Sequence, residues 1–151
     1  MGSRPALASD IRLRDVEASD IDIFYNQQLD PEATAMAAFP ARDREAHVAH
    51  WNKILKDAGN ITRTIVAAGQ VAGNLGSWVQ DEQREIGYWI GKAHWGRGVA
   101  TTALEQFLQI VDERPLYAWV AGHNSGSRRV LEKCGFLFDR DESDHVVFKI
   151  A

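Results

Sequence analysis

The sequence predicts a mixed α/β fold in which a mostly antiparallel sheet of six to seven strands is flanked by helices. Residues 11–16 alternate apolar and charged side chains, as a half-exposed strand does. Residues 62–68 and 71–80 are rich in β-branched and apolar side chains and are joined by a Gly-Gln pair, which is typical of a hairpin. Residues 84–121 have the pattern of strand, helix and strand, and such a crossover favours parallel pairing of its two strands.

Three helices are predicted between the first strand and the hairpin. Ser19 or Asp20 can cap the first helix, and the proline that follows Asp30 separates a short second one. Asp43 opens a third helix, which ends at about Lys56. The first helix carries apolar residues at helical spacing, and the third carries them on one side.

Glycine and asparagine mark several other boundaries. Gly73 and Gly76, inside the second hairpin strand, indicate a bulge or a close approach of two backbones. Asn124 can cap the last helix, and Gly135 stands where a helix ends in the left-handed conformation. Two closing strands are expected on either side of a polar turn at residues 139–144.

The turn between the predicted strand 84–90 and the helix that follows it contains Gly96 and Gly98, one on each side of Arg97. Free backbone amides at the start of a helix favour an anion, and glycine lets the backbone approach a ligand closely. The turn therefore predicts a cradle for a pyrophosphate, with Arg97 and the Thr101 hydroxyl nearby. The alternative is that the two glycines only form a tight strand-to-helix turn.

Two familiar phosphate-binding motifs do not fit this turn. A P-loop requires Gly-Lys followed by Ser or Thr, which is not present here. A dinucleotide fingerprint requires a third glycine at the position of Thr101. The turn is thus neither of these motifs.

Composition and charge narrow the classes of function. The 151 residues are 45% apolar, which suits a single domain, expected over 11–151 after a loose tail at 1–10. The net charge of −4 argues against nucleic-acid binding. There is no apolar run of membrane-spanning length, no secretory signal, and a single cysteine, Cys134. We therefore expect a cytoplasmic protein with neither nucleic acid nor membrane as a partner.

Metal and thiol chemistry are not expected either. His47 and His50 share one helix face, but no third ligand is evident, so surface or partly packed histidines are the favoured interpretation. Cys134 has no histidine beside it in the sequence and is expected to be a small core residue rather than a nucleophile.

The residues around the turn carry a family resemblance. Residues 85–90 (EIGYWI) followed by 95–100 (WGRGVA) resemble the acetyl-CoA motif of the GNAT superfamily of N-acetyltransferases. They are most similar to the branch whose members acetylate the N-termini of ribosomal proteins. Residues 124–136 (NSGSRRVLEKCGF) resemble the family's closing helix. With the first strand included, the resemblance spans nearly the whole chain.

This resemblance implies a V-shaped opening between the strands 84–90 and 116–121, with acetyl-CoA as co-substrate and no metal. In the family, the pantetheine arm pairs with the central strand like an added strand, here near Tyr88 and Ile90, and the pyrophosphate lies on helix-start amides. The residues assigned in this way to cofactor binding are Tyr88, Trp89, Ile90, Gly96, Arg97, Gly98, Val99, Ala100, Thr101 and Asn124.

Catalysis of amide formation requires removal of a proton from the amine and stabilisation of the leaving thiolate. Glu85 resembles the family's glutamate base, although an ordinary solvent-facing strand residue is the alternative. Asn124 resembles the asparagine that touches the sulfur region, a role compatible with helix capping. Ser127 occupies a small-residue position, where its hydroxyl either faces the cofactor or only permits close packing.

Two positions depart from the family pattern. Trp95 stands where glutamine or arginine opens the phosphate motif, and Leu131 replaces the tyrosine that often protonates the thiolate. Both replacements occur in the ribosomal-protein branch. They leave the identity of the catalytic acid open.

The resemblance implies an N-acetyltransferase that moves acetyl directly from acetyl-CoA to a primary amine of a small molecule or of a peptide N-terminus. The alternatives are a CoA-binding protein with a sensing or assembly role, and a nucleotide-phosphate binder. Negative net charge permits a cationic acceptor but does not identify it. The oligomeric state is open, a homodimer included.

Overall fold

A computed structural model describes residues 10–151 and contains one seven-stranded sheet with five α-helices, as the sequence predicted. The expected tail lies outside the described residues except for Asp10. The strands are β1 (Ile11–Arg14), β2 (Ile61–Ala67), β3 (Gln70–Gln80), β4 (Gln83–Ile90), β5 (Leu116–Ala121), β6 (Leu137–Glu142) and β7 (His145–Ile150). The helices are α1 (Ala18–Gln28), α2 (Pro31–Ala37), α3 (Arg44–Lys56), α4 (Val99–Ile110) and α5 (Ser125–Lys133).

The strand order is β1-β2-β3-β4-β5-β7-β6, and every neighbouring pair is antiparallel except β4 and β5. The parallel pair is the one joined through α4, so the predicted strand–helix–strand crossover is confirmed.

The sheet opens at its centre. β4 and β5 pair only where Arg84 meets Leu116 and Glu85 meets Tyr117. Beyond these positions β4 continues to Ile90, still paired with β3 on its other side, and β5 continues to Ala121, paired with β7. The inner edges of both strands are therefore free of each other, which confirms the V-shaped opening.

Two hydrophobic clusters hold the helices on the sheet. The larger one packs α4 against the strands and includes the fully buried Ala103, Leu104 and Phe107. The smaller one joins α1 to α3 through Ile21, Phe24 and Trp51. Burial of each such aliphatic or aromatic side chain contributes about 1.5–3 kcal/mol. Within residues 10–151, no helix is long and apolar enough to cross a membrane.

Gly73 shows the close backbone approach that its position predicted. A Cβ built on Gly73 would lie 2.0 Å from the backbone oxygen of Trp89 in β4, so only glycine fits here. The β2–β3 register also shifts between Ile65 and Val66, opposite this part of β3, which confirms the bulge. The backbone of β3 therefore lies unusually close to the end of β4 that borders the opening.

Two local predictions are wrong. The N-cap of α1 is Glu17 rather than Ser19 or Asp20, because Asp20 is the third helical residue and its carboxylate accepts from the Glu17 backbone N–H in a capping box. Residues 139–144 were expected to form a turn, but β6 extends to Glu142. The polar residues of β6 lie on an exposed edge strand, where pairing with β7 holds them extended.

Asp20 joins α1 to the first two strands. Its side chain is 1% exposed and accepts hydrogen bonds from Arg14 of β1, at 2.7 and 2.9 Å, and from the Thr64 hydroxyl of β2, at 2.7 Å. Burial by itself raises the pKa of this carboxyl, but the hydrogen bonds from Arg14, from the Glu17 backbone and from Thr64 outweigh it and lower the pKa to about 2.

The first prediction concerns this carboxylate and acid stability. Because folding lowers the pKa of Asp20 from 3.8 to about 2, its ionised form stabilises the protein above about pH 4, and this contribution is lost as the pH falls through 2. The contribution amounts to about 2 kcal/mol. Urea unfolding should show that Asp20→Asn is less stable at pH 7 and loses less stability between pH 6 and pH 2.

Asp22→Asn is the matched control on the same helix. Asp22 is exposed and pairs with Arg44 at the surface, so its substitution should change stability by less than about 1 kcal/mol. Equal effects of the two substitutions would contradict the anchoring role of Asp20.

Candidate active site

The start of α4 presents open backbone amides. Its N-cap is Gly98, with φ of 75°, and no side chain caps the helix start. Gly96 also has a positive φ, of 74°, and a Cβ built on either glycine would meet nothing within 4 Å. The amides of the first turn, from Val99 to Thr101, thus lack an intrahelical partner and carry the positive end of the helix dipole.

Trp95 fastens this turn to the end of β4. Its indole Nε1 donates a hydrogen bond to the backbone oxygen of Ile90 at 2.9 Å. The ring also packs against the large hydrophobic cluster. A tryptophan at the position where the family has glutamine or arginine therefore has a structural role, since it fixes the turn relative to the strand edge.

A cavity of about 490 Å³ lies between this turn, the free edge of β4 and α5. Among the ten residues that the sequence assigned to cofactor binding, nine line this cavity: Tyr88, Trp89, Ile90, Gly96, Gly98, Val99, Ala100, Thr101 and Asn124. Arg97 is not among the described residues that line this cavity, and its place beside the ligand stays a prediction.

Two basic residues of α5 also line this cavity and were missed by sequence reasoning. Arg129 and Lys133 are one helical turn apart, so they lie on the same side of α5. Their spacing was visible in the sequence, but the direction of that face depends on how α5 packs. Together with the α4 amides they give the cavity a positive end.

Tyr88 reaches across the opening to α5. Its hydroxyl lies 2.6 Å from Oγ of Ser127, and either oxygen can donate in this hydrogen bond. Burial raises the pKa of Tyr88 to about 12, although the bond to Ser127 opposes the shift. The phenol therefore stays protonated at neutral pH. The sequence indicated only a backbone role for Tyr88, because nothing local shows that its side chain meets Ser127.

Asn124 caps α5, as predicted. Its side-chain oxygen accepts a hydrogen bond from the backbone N–H of Ser127 at 3.1 Å. The side-chain NH₂ group has no such bond to the described chain and lines the cavity with Ser127. Capping thus leaves its donors available to a ligand.

A second cavity, of about 470 Å³, lies under α1, α2 and α3 and contains Glu85. The Glu85 side chain is largely buried, with the residue 8% exposed, so the solvent-facing alternative is wrong. Burial raises the pKa of Glu85, and the charge of Asp81 raises it further. A hydrogen bond from Trp78 and the charge of Arg140 oppose the shift. This is the environment of a carboxylate poised to accept a proton.

Trp89 lines both cavities. The indole Nε1 of Trp89 is buried and has no hydrogen-bond partner within the described part of the chain. A buried donor without a partner is costly unless a ligand or water satisfies it. Ala37 of α2 also lines both cavities.

The histidines and the cysteine do not form a metal or nucleophile site. His47 is 3% exposed, more deeply buried than predicted, and its Nε2 lies 2.9 Å from the backbone oxygen of Ile21. Among residues 10–151, no group of three histidine, cysteine or acidic side chains can hold a metal ion. Burial raises the pKa of Cys134 to about 11, and its Sγ donates to the Thr101 carbonyl at 3.6 Å. A thiol in this state is a poor nucleophile.

Comparison with known proteins agrees with this geometry. Residues 10–137 match the family model of the Acetyltransferase (GNAT) domain. The chain belongs to this family. The GNAT resemblance noted from residues 85–100 and 124–136 is thus confirmed over most of the chain.

One curated relative is named as an N-acetyltransferase. The chain is 29% identical over 101 residues to the "Putative ribosomal N-acetyltransferase YdaF" of Bacillus subtilis (strain 168), a match that covers 62% of this chain and 55% of that protein. The chain therefore spans about half the length of this curated relative. The name of this relative agrees with the resemblance to the ribosomal-protein branch.

Two solved structures share the fold. RimL, a ribosomal L7/L12 α-N-protein acetyltransferase in complex with coenzyme A, is 16% identical with a TM-score of 0.79, covering 94% of each chain. The spermidine N-acetyltransferase from Vibrio cholerae, in complex with CoA and spermine, is 18% identical with a TM-score of 0.78, covering 93% of this chain and 94% of that one. At these identities the likeness is one of fold.

The second prediction concerns the pKa of Glu85. Trp78→Phe removes a hydrogen bond that favours the carboxylate, so the pKa of Glu85 should rise further. Asp81→Asn removes a nearby negative charge, so the pKa should fall, and the turn conformation of Asp81, with φ of 51°, tolerates asparagine. Carbon-13 NMR titration of the glutamate side chains measures both. Shifts of the same sign would contradict the assigned environment.

Proposed function

We propose that residues 11–151 form a single acetyltransferase domain that transfers acetyl from acetyl-CoA directly to a primary amine. The observation that carries the proposal is that two cavities of different character share Trp89 as a lining residue. One cavity offers backbone amides and basic side chains to an anion, and the other holds a buried carboxylate. An acyl donor and an amine can then meet at the open edge of β4.

The first cavity suits acetyl-CoA for three reasons. The uncapped start of α4 and the Cβ-free positions Gly96 and Gly98 suit a pyrophosphate. Arg129 and Lys133 add positive charge. The edge of β4 beyond Glu85 is unpaired, so its backbone can bind an extended amide-bearing arm like an added strand.

Bound acetyl-CoA supplies an activated thioester carbon and a thiolate as leaving group. Glu85 accepts a proton from the attacking amine, directly or through water, because its raised pKa makes it a stronger base than an exposed carboxylate. On the opposite side, the NH₂ group of Asn124 and the Tyr88–Ser127 pair provide donors for the developing negative charge on sulfur. Leu131 replaces the tyrosine that often protonates the thiolate in the family, and Tyr88 supplies a phenol hydroxyl in its place.

The amine acceptor is proposed from the same arrangement. RimL is named for a ribosomal protein and the Vibrio cholerae enzyme for spermidine, so related folds serve both peptide N-termini and small amines. A peptide N-terminus and a small primary amine each carry an amine from which Glu85 can take a proton. A protein that only senses CoA has no need of a buried carboxylate in the second cavity.

The third prediction tests the anion cradle. Gly98→Asp places a negative charge and a side chain at the start of α4, and should weaken acetyl-CoA binding at least about tenfold. Isothermal titration calorimetry measures the affinity. Gly69→Asp is the matched control, since Gly69 also has a positive φ, of 82°, and open space around it, but lies in the β2–β3 turn.

The two variants should share a similar loss of stability from the strained backbone, and only Gly98→Asp should lose affinity. Unchanged affinity in Gly98→Asp would contradict the cradle.

The fourth prediction tests the base. Glu85→Gln should lower kcat by about 10² or more while leaving acetyl-CoA affinity near that of the native chain. Because the pKa of Glu85 is raised, the acidic limb of the native pH–rate profile should lie above the range of an ordinary carboxyl, and the variant should lose this limb. Thiol release with a panel of amines and peptides gives the rates.

Glu105→Gln, on the exposed side of α4, is the control and should leave kcat unchanged. If no amine in the panel is acetylated while CoA still binds, the transferase proposal is wrong and the sensing function replaces it.

A further inference from the structure

Arg42 is held in place in the loop between α2 and α3. Its backbone N–H donates to Oε1 of Gln28 at 2.7 Å, and Nε2 of Gln28 donates back to the Arg42 carbonyl at 2.9 Å. Gln28 belongs to α1, so this pair of bonds ties the loop to the helix layer. The position of Arg42 is therefore fixed by the fold even though it lies outside any helix or strand.

The guanidinium of Arg42 has no anionic partner. Its Cζ lies 4.8 Å from the centroid of the Phe39 ring, and among residues 10–151 no carboxylate lies within ion-pair distance of it. Burial lowers the pKa of Arg42, and no neighbouring charge offsets this. Arg44 differs, since its guanidinium also stacks on an aromatic ring, that of Tyr25, but bonds to Asp22 at 2.7 Å.

Arg42 and Glu85 line the same cavity. Among the described residues that line it, Glu85 is the only carboxylate and Arg42 the only group with a permanent positive charge. Three histidines also line it, and burial lowers the pKa of two of them, His47 and His50, so both favour the neutral form. The remaining walls are largely aromatic and include the indoles of Trp51, Trp78, Trp89 and Trp119.

This distribution of charge selects among amines. A polyamine carries several positive charges and needs several carboxylates, whereas this lining offers one carboxylate and an unpaired arginine. A partly buried cation without a partner is destabilising unless a bound anion pairs with it. The planar guanidinium matches a carboxylate, with which it forms two parallel hydrogen bonds.

We propose that the amine acceptor also bears a carboxylate on an apolar or aromatic body, an α-amino acid being the simplest example, with its amine toward Glu85 and its carboxylate on Arg42. The proposal rests on the acetyltransferase function and names the substrate class of that site. The indole walls bind the body of the acceptor, Glu85 takes the proton from its amine, and Arg42 fixes its orientation.

The experiment compares each amino acid with its own amide, which has the same body and amine but no carboxylate. The probes are phenylalanine, tryptophan and methionine, their three amides, and spermidine. With acetyl-CoA saturating, at least one amino acid should have a KM about tenfold or more below that of its amide, and spermidine should be the poorest acceptor.

Arg42→Met should remove this preference by raising KM for the amino acid about tenfold while leaving KM for the amide, and the affinity for CoA, unchanged. Arg42→Lys should restore part of the preference, because it keeps the charge but loses the planar fork. Arg44→Met is the matched control and should keep the preference, since Arg44 does not line the cavity.

Equal KM values for every amino acid and its amide, or an Arg42→Met effect on both alike, would overturn the proposal. Calorimetric binding of the same probes to the CoA-bound protein separates it from the transferase function. If no probe is acetylated yet an amino acid binds through Arg42, only the proposed function fails. If the amides are bound and acetylated to the same extent as the amino acids, the proposed substrate class fails and the transferase function stands.

Discussion

The separation of β4 from β5 after two paired positions is the constraint on which the rest of the site depends. Each strand is fully paired on its outer side, β4 with β3 and β5 with β7, so the opening does not leave the strands without support. The close approach of Gly73 to Trp89 holds the β4 side in place. The freed inner edge of β4 is then a stretch of central strand whose backbone can pair with a ligand.

The two cavities beside this opening have different electrostatics. The first takes its positive character from backbone amides at the start of α4 and from Arg129 and Lys133 on α5. The second isolates Glu85 among aromatic rings, and this burial makes the carboxyl easier to protonate. The two cavities thus differ in charge while sharing Trp89 as a lining residue.

The cover over the second cavity is built by α1, α2 and α3, and it depends on a buried ion pair far from the opening. Asp20 bonds to Arg14 and Thr64 and so fixes α1 on the first two strands. Gln28, near the end of the same helix, holds the backbone of Arg42. An interaction at one edge of the sheet therefore helps to place a charged side chain beside the centre.

The sequence by itself determined those features that depend on short stretches of chain. The strand–turn–helix around Gly96 and Gly98, the Asn124 cap and the left-handed Gly135 were predictable because glycine conformation, capping and periodicity act over a few residues. The family resemblance added the opening, and a predicted role for Glu85, to this local pattern.

Only the tertiary structure decided which side chains meet across the opening. The Tyr88–Ser127 hydrogen bond joins residues 39 positions apart, and Arg42 and Glu85 share a cavity although they belong to different layers. Such contacts are set by the packing of helices on the sheet, and a local pattern carries no information about that packing.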